Sequence, residues 1–454
     1  RAIVTKAPSH RSLATTTSRQ INHLQSPHEN CTPATLDSLA ADVDGSGAQP
    51  RLLIVSAGNI NDPYAWSQYP ASNETDGVHD PAQAWNTLAV GASTELVRIT
   101  EPDAGGLEPI APRGGLSPFS TTSLTWQRPW PLKPDIVCEG GNAARDVLSS
   151  VCVPSLSLLT TNHEPANRLF TTTNATSAAT ALASRLAARV MVEYPDLWPE
   201  TIRALIVHSA EWTDAMKRMF LPADRTPSKA DYQTLVRCCG FGVPDLDGAI
   251  WSVSNSTTMV VQVCLQPFRK EPGRPVTTSE MHLHDLPWPV DVLEQLGDLQ
   301  VEMRVTLSYF VEPNPSRRGP TSRYRYASHG LRFDVKRSLE TVDSFRRRIN
   351  ALARVDEQDS TWSEGDPAWL IGSQNRHKGS LHSDIWFGNA ADLASRGYVA
   401  VYPSTGWWRT RPNLEQYERE ARYALVVSIR TPETDVDLYT AIENRIRVPT
   451  VVET

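Results

Sequence analysis

The segment Thr171–Pro195, TTTNATSAATALASRLAARVMVEYP, decides how this chain is read. A polar Thr/Asn stretch passes without a break into an Ala-rich run, and Ser177 stands at the junction. Residues 178–193 place Ala, Leu and Val on most faces, so the spacing predicts a buried helix that Pro195 ends. A serine at a helix start commonly caps it by accepting a backbone N–H. The position also offers a second use. Unpaired N–H groups and a partial positive charge gather at a helix N-terminus, and they would stabilise the oxyanion formed when a serine hydroxyl attacks a carbonyl. On this segment alone both readings stay open.

Upstream, RLLIVSAGN (51–59) is a continuous apolar run that stops at Gly and Asn. Such runs fit strands buried on both faces, as in a parallel sheet. AWNTLAVGAS (84–93) and KPDIVCEGG (133–141) repeat the pattern. Downstream, WPETIRALIVHSAEW (198–212) predicts a second helix with Pro199 in its first turn. Strands mixed with helices in this way indicate an α/β layered domain. Open α/β sheets bind ligands at the carboxyl ends of their strands, where Asn59 lies, so its side-chain amide is a candidate hydrogen-bond donor. Nearer the start, residues 1 to about 50 are polar, with one short helix expected over 35–43.

The texture changes near residue 255. TMVVQVCLQ (258–266), LQVEMRVTLSYF (299–310), HGLRFDVKR (329–337), YVAVYPS (398–404) and ARYALVVSIRT (421–431) alternate in strand fashion. In the second, Val301, Met303, Val305, Leu307 and Tyr309 share one side, and Glu302, Arg304, Thr306 and Ser308 the other. One dry and one wet face are expected, as in an antiparallel sheet. The organisation read from sequence is thus an α/β domain over 1–254 and a β-sandwich over 255–454, with a basic helix near 341–354 presenting a solvated face.

Composition narrows the function classes. Of 454 residues 40% are hydrophobic and 21% charged, as in ordinary globular proteins. A net charge of −7 argues against a nucleic-acid binder. No apolar run long enough for a membrane span occurs. The six cysteines lack metal-ligand spacing, and a reducing, cytoplasmic location is expected. The Asp- and Asn-rich segment 61–80 has no calcium-loop spacing, so neither a metal nor a cofactor is expected.

The ordered set AGN, NTLAVGAS, PFS, KPDIVCEGG, ATSAAT and LIVHSA resembles the carboxyl half of a subtilisin-like serine peptidase. The likeness covers roughly residues 50–212. It implies a subtilisin-like parallel-sheet fold and hydrolysis of peptide bonds in a protein or peptide substrate. Ser177 would be the nucleophile, and Asn59 with the Ser177 backbone N–H the oxyanion donors. Two departures stand out: Ala175 replaces the family's Gly, and the family's Pro after the serine falls outside the match. Asp135, in the strand that matches the family's KPDI, is read as structural, and His208, inside an apolar helical stretch, as a satisfied core histidine.

The family's Asp and His motifs are missing from this reading. None of His10, His23 and His28 precedes Gly-Thr, and VDGSG (43–47) has no apolar strand before Asp44. LHSD (381–384) and MHLHD (281–285) fall in the second domain. The expectation is that the Asp/His segment belongs to a part of the protein absent from this chain, or to a separate chain. The alternative is a catalytically inactive subtilase-fold binding module. In the second domain, HLHDLPWPVDVLE, VEMRVTLSYFVEPNP, YASHGLRFDVKR and GSLHSDIWFG resemble bacterial subtilases encoded beside an AAA-type ATPase, in pairs linked to phage defence and plasmid maintenance. That likeness implies an ATPase partner; this chain has no P-loop of its own.

Overall fold

Thr32 starts the first helix, α1 (Pro33–Ala41), by accepting the Thr35 N–H on its hydroxyl. Asp37 of α1 is buried, and its carboxylate takes the N–H groups of Trp85 (3.0 Å) and Asn86 (2.7 Å). The computed structural model describes residues 32–43, 50–127, 130–254, 258–315, 326–354, 365–431 and 450–453. His10, His23, His28 and Asp44 lie outside them. The chain forms two units: the described residues of 1–42, 46–196 and 209–246, and those of 43–45, 197–208 and 247–454.

In the first unit the apolar runs become strands. β1 (Ile54–Ser56) and β4 (Ile136–Glu139) both pair in parallel with β2 (Leu88–Thr94), and β3 (Gly115–Leu116) joins β2 antiparallel. Every residue of β2 is buried, as the unbroken apolar pattern requires. The entry to β4 is held by a buried ion pair. Lys133 Nζ lies 2.6 Å from Asp135 Oδ2 and 2.9 Å from the Thr87 carbonyl, and Asp135 Oδ2 accepts the Ala89 N–H at 2.7 Å. Asp135 is therefore structural. The helix after the site segment, α2 (Ala175–Glu193), packs on β1, β2 and β4.

The next helix, α3 (Pro199–Ser209), lies almost wholly in the second unit, although the sequence pattern groups it with the α/β domain. In the first unit, α4 (Lys229–Cys239) starts with a reciprocal capping box between Ser228 and Asp231. It buries Cys238 and Cys239 against Leu116, Val137 and Met216. It stops at Gly240 (φ +56), where a Cβ would lie 2.4 Å from the Asp135 carbonyl oxygen. That close approach requires glycine.

The second unit includes, in chain order, β5 (Thr258–Leu265), β6 (Phe268–Arg269), β7 (Thr277–Thr278), β8 (Glu280–Asp285), β9 (Gln300–Tyr309), β10 (Gly330–Val335), α5 (Val342–Arg354), β11 (Leu381–Asn389), β12 (Tyr398–Ser404), α6 (Trp407–Thr410) and β13 (Ala421–Arg430). A last strand is β14 (Thr450–Glu453). Two antiparallel sheets result, in the orders β5-β13-β9-β11 and β10-β12-β8-β14, and β6 and β7 form a hairpin. Side chains link the two sheets. The Tyr423 hydroxyl on β13 lies 2.7 Å from both His282 Nδ1 and His284 Nε2 on β8. Trp386, Trp407, Trp408 and Tyr402 are all buried.

One sheet-face expectation fails for a specific reason. Arg304, Thr306 and Ser308 of β9, the polar side of the alternation, are buried rather than wet. Helix α3 covers them. Arg203 donates through Nε to the Ser308 hydroxyl (2.9 Å) and through Nη2 to the Tyr309 carbonyl (2.8 Å). His208 bridges Thr306 (Nδ1, 3.0 Å) and Ser428 (Nε2, 2.7 Å), and Arg304 returns a bond to the Val207 carbonyl at 3.0 Å. Burial holds His208 well below its ordinary pKa, so the ring is neutral. The polar face is polar because a polar helix docks on it. This network also explains why residues 197–208 go with the second unit. The basic helix α5 is likewise only half solvated: Phe345, Ile349 and Ala353 pack on Met281, Leu283, Ala400 and Tyr402, while Arg348 pairs with Asp334 (2.6 Å) and Glu340 (2.8 Å).

Candidate active site

Asn59 leaves β1 through Gly58, whose φ of +114 is open only to glycine. A Cβ on Gly58 would lie 2.6 Å from Cγ of His79, so the imidazole rests directly against this backbone. The His79 N–H donates to the Ala57 carbonyl (2.9 Å), and Thr121 Oγ1 donates to the same oxygen at 2.9 Å. Two partners thus fix the strand end that presents Asn59.

The other half of the site is the start of α2. Asn174 occupies the cap position in extended geometry and makes no side-chain capping bond. Ala175 then turns left-handed, with φ +66, and its N–H donates to the Gly140 carbonyl at 2.6 Å. This conformation costs an L-residue roughly 1–2 kcal/mol. Burial of the Ala175 methyl among Ile60, Trp66 and Phe119 offsets part of it. The family's Gly at this position is explained by the positive φ, and Ala175 reproduces the same turn. Gly140 permits it: a Cβ there would stand 2.9 Å from the Ala175 carbonyl oxygen.

Helix α2 therefore begins at Ala175, and Ser177 is its third residue rather than its cap. The capping reading of Ser177 is excluded by this placement. The serine is half-buried, and among the described residues neither its hydroxyl nor its N–H has a hydrogen-bond partner.

The two halves meet through Thr176. Asn59 Oδ1 accepts the Thr176 N–H at 3.0 Å and faces the Thr176 hydroxyl at 2.5 Å; that hydroxyl also lies 3.1 Å from the Gly58 carbonyl. A backbone N–H can only donate, so the carboxamide orientation is settled: oxygen toward Thr176, nitrogen away. Among the described residues the Asn59 Nδ2 has no acceptor. Two positions 118 residues apart in the chain (177 − 59) thus share one helix N-terminus. Thr176 was not singled out by sequence reasoning. Its place inside the ATSAAT motif was the available signal, but nothing in that motif says which way its hydroxyl turns.

No histidine or carboxylate among the described residues hydrogen-bonds the Ser177 hydroxyl. His79 pairs with Asp76 (Nε2 to Oδ1, 3.5 Å), and His163 with Glu164 at 3.6 Å. Glu139, at the end of β4, is occupied by backbone: its Oε1 accepts the Gly141 N–H at 2.7 Å and its Oε2 the Glu95 N–H at 2.5 Å. Burial pushes its carboxyl up. No group of three or more metal-ligating side chains is found among the described residues. Nor is any described helix long and apolar enough to cross a membrane.

The arrangement offers a hydroxyl, a backbone N–H and a carboxamide N–H at one helix N-terminus, a set suited to acyl transfer. The sequence profile of the Subtilase family matches residues 12–242, about half of the chain. An uncharacterized protein, y4bN, of Sinorhizobium fredii (strain NBRC 101917 / NGR234) is 26% identical over 436 residues, covering 91% of this chain and 90% of that protein. Among solved structures, a protease from Pseudoalteromonas arctica PAMC 21717 matches 44% of this chain and 42% of its own at 15% identity, with a TM-score of 0.26. The self-cleaved protease domain of PatA matches 45% and 50% at 20% identity (TM-score 0.26). MycP1 from Mycobacterium smegmatis matches 48% and 44% at 19% identity (TM-score 0.24). The chain spans half or less of the length of these solved proteases.

Proposed function

Because this chain belongs to the subtilase family, we propose that it is a serine endopeptidase in which Ser177 is the nucleophile and Asn59 an oxyanion donor. One observation carries the reading: Thr176, the residue before Ser177 at the start of α2, holds the Asn59 carboxamide by its oxygen, and among the described residues Asn59 Nδ2 and the hydroxyl and N–H of Ser177 have no partner. Ser177 Oγ attacks the scissile carbonyl. The oxyanion takes hydrogen bonds from the Ser177 N–H and Asn59 Nδ2, the amine departs, and water releases the acyl group. One such donor is worth roughly 2.7–4 kcal/mol of barrier, a figure that itself comes from a subtilisin, a member of this family. The positive end of α2 adds to the same stabilisation.

The general base and its orienting acid come, in this proposal, from an Asp/His segment not identified in this sequence, in the same or a separate chain. A specific observation favours a second reading: among the described residues no base contacts the Ser177 hydroxyl. In that reading the chain is a catalytically inactive subtilase-fold module that binds a peptide. A fluorophosphonate probe separates the two. Labelling at Ser177 that disappears in Ser177→Ala, with the fold unchanged by circular dichroism, supports the peptidase. Intact protein that never labels establishes the binding module.

The wider setting belongs to the same proposal. A subtilase-type unit is followed by a β-sandwich, and a cytoplasmic AAA-type ATPase partner controls the activity in anti-phage defence. Co-purification of the chain with such an ATPase from its native host, and its loss on deletion of the second unit, would support this. An ATPase-free preparation with full activity would remove the partner from the scheme.

A further inference from the structure

A two-stranded hairpin leads directly into the Ser177 turn. Its first strand is Leu158–Thr161 and its second Phe170–Thr173, paired antiparallel from Leu158 opposite Thr173 to Thr161 opposite Phe170 with no bulge. Among the described residues no third strand joins them. The two strands, LLTT and FTTT, carry neither charge nor proline. Exposed strand edges are ordinarily protected by Lys, Pro or a bulge, and this hairpin has none of the three in its strands.

The register says which backbone groups face outward. The Asn162 N–H donates to the Leu169 carbonyl at 2.9 Å, so residues 162 and 169 form a hydrogen-bonded pair. Antiparallel pairs alternate between bonded and non-bonded. Thr160 with Thr171, and Leu158 with Thr173, are then bonded pairs; Thr161 with Phe170, and Leu159 with Thr172, are not. The N–H and carbonyl of Phe170 and of Thr172 therefore point away from the first strand, along an open edge. Side chains follow the same parity. Leu159, Thr161, Phe170 and Thr172 are exposed, whereas Leu158, Thr160, Thr171 and Thr173 are half-buried. Leu159 and Phe170 are diagonal neighbours on the exposed face, with 73% and 54% of their surfaces open.

We propose that the edge of Phe170–Thr173 takes up, as an added strand, an extended segment of the substrate with an apolar residue at every second position. On the peptidase reading of Ser177, on which this rests, the guest is the stretch of substrate that follows the cut bond. The direction comes from the chain. Phe170–Thr173 runs toward Asn174, Ala175 and Ser177, and antiparallel pairing is the more stable arrangement. An antiparallel guest therefore runs away from Ser177, which places the paired residues on the side of the departing amine. A guest residue opposite Phe170 turns its own N–H and carbonyl toward the edge and its side chain onto the exposed face. An apolar side chain there covers Phe170, which Leu159 backs. Backbone bonds supply the affinity of such strand addition and alternate side chains its specificity. Continuity of this strand with the Ser177 turn assigns the edge to substrate rather than to a second copy of the chain.

The test is fluorescence anisotropy of the full chain with fluorescein-labelled Lys-Val-Thr-Val-Thr-Val-Lys, beside the same peptide with serine for valine. The valine peptide should bind at least about tenfold tighter. N-methylation of its valines should cost at least about tenfold and N-methylation of its threonines less than about twofold, because only the valines turn their N–H toward the edge. Phe170→Thr removes the apolar face, and Thr172→Pro removes only an outward N–H, a change that edge strands tolerate; each should weaken binding at least about fivefold with the circular dichroism spectrum unchanged. Cleavage of a proteome-derived peptide library reads the direction: apolar residues should be enriched at alternate positions after the cut bond. Equal affinity for the valine and serine peptides, equal loss from both methylation patterns, unchanged binding in both variants, or enrichment before the bond would overturn the proposal. So would a dimer in analytical ultracentrifugation that Phe170→Thr dissolves and no peptide displaces, which gives the edge to a second copy. Failure of the peptidase reading shows separately, as absent fluorophosphonate labelling, and leaves the anisotropy to decide the edge.

Discussion

Thr176→Val removes one hydroxyl and little else. Thr176 is fully buried, and valine has nearly its shape, so packing is retained while a polar partner is lost. Asn59 Oδ1 keeps the backbone N–H of residue 176 at 3.0 Å but loses the hydroxyl at 2.5 Å; the Gly58 carbonyl loses its neighbour at 3.1 Å. One buried hydrogen bond is worth about 0.5–1.5 kcal/mol net. If the hydroxyl acts by aiming the carboxamide, about 1 kcal/mol of that appears in the barrier, lowering kcat about fivefold. The ceiling is the roughly 2.7–4 kcal/mol of losing the donor itself. The assay is hydrolysis of a peptide amide by wild type, Thr176→Val, Asn59→Leu and the double variant, with kcat and KM separated. KM should hardly move. In the Asn59→Leu background the valine should have no further effect on kcat, because its only route to the oxyanion is gone. An additive loss in the double variant, or an unchanged kcat in Thr176→Val, refutes the reasoning.

Other outcomes follow from the fold. Lys133→Met strands the buried Asp135 carboxylate and should cost roughly 3–5 kcal/mol in denaturant unfolding; a loss below 1 kcal/mol would mean the pair is dispensable. Gly240→Ala forces a methyl to 2.4 Å from the Asp135 carbonyl oxygen at positive φ, and should lower stability by at least about 2 kcal/mol. Burial holds His282 down at about 4, and burial with the His282 charge holds His284 down at about 3. Both rings are neutral when folded and protonate near 6.5 when unfolded. The stability they support is complete above that value and is lost as pH falls from about 6.5 toward 4 and 3, at about 1.4 kcal/mol per pH unit for each ring. His282→Gln should flatten the acid limb of the stability profile; an identical limb would exclude these rings as its source.

The parts of the fold set by local pattern were legible in the sequence. Continuous apolar runs marked β1, β2 and β4, the Ala-rich stretch marked α2, and alternation marked β9 and β13. The proximity of Asn59 and Ser177 was not legible from spacing, since no local signal encodes a contact across 118 positions (177 − 59); it followed from the order of the motifs. Three features escaped because they are tertiary. The left-handed turn at Ala175 depends on Gly140 yielding space. The role of Thr176 depends on which way a hydroxyl points. The dryness of Arg304, Thr306 and Ser308 depends on a helix whose own sequence looked like part of the preceding unit.

That borrowed helix has a consequence for dissecting the protein. A boundary drawn at the change of texture near residue 255 would sever α3 from the sheet whose hydroxyls and guanidinium it satisfies. The excised fragment would then present a hydrophilic yet formerly dry surface to solvent, and in the remaining fragment Arg203 would lose its bonds to Ser308 and Tyr309. Genetic truncation, cassette exchange and recombination between relatives must therefore keep residues 197–208 with the carboxyl-terminal half, and a single cut before residue 197 would carry residues 209–246 of the first unit along with them.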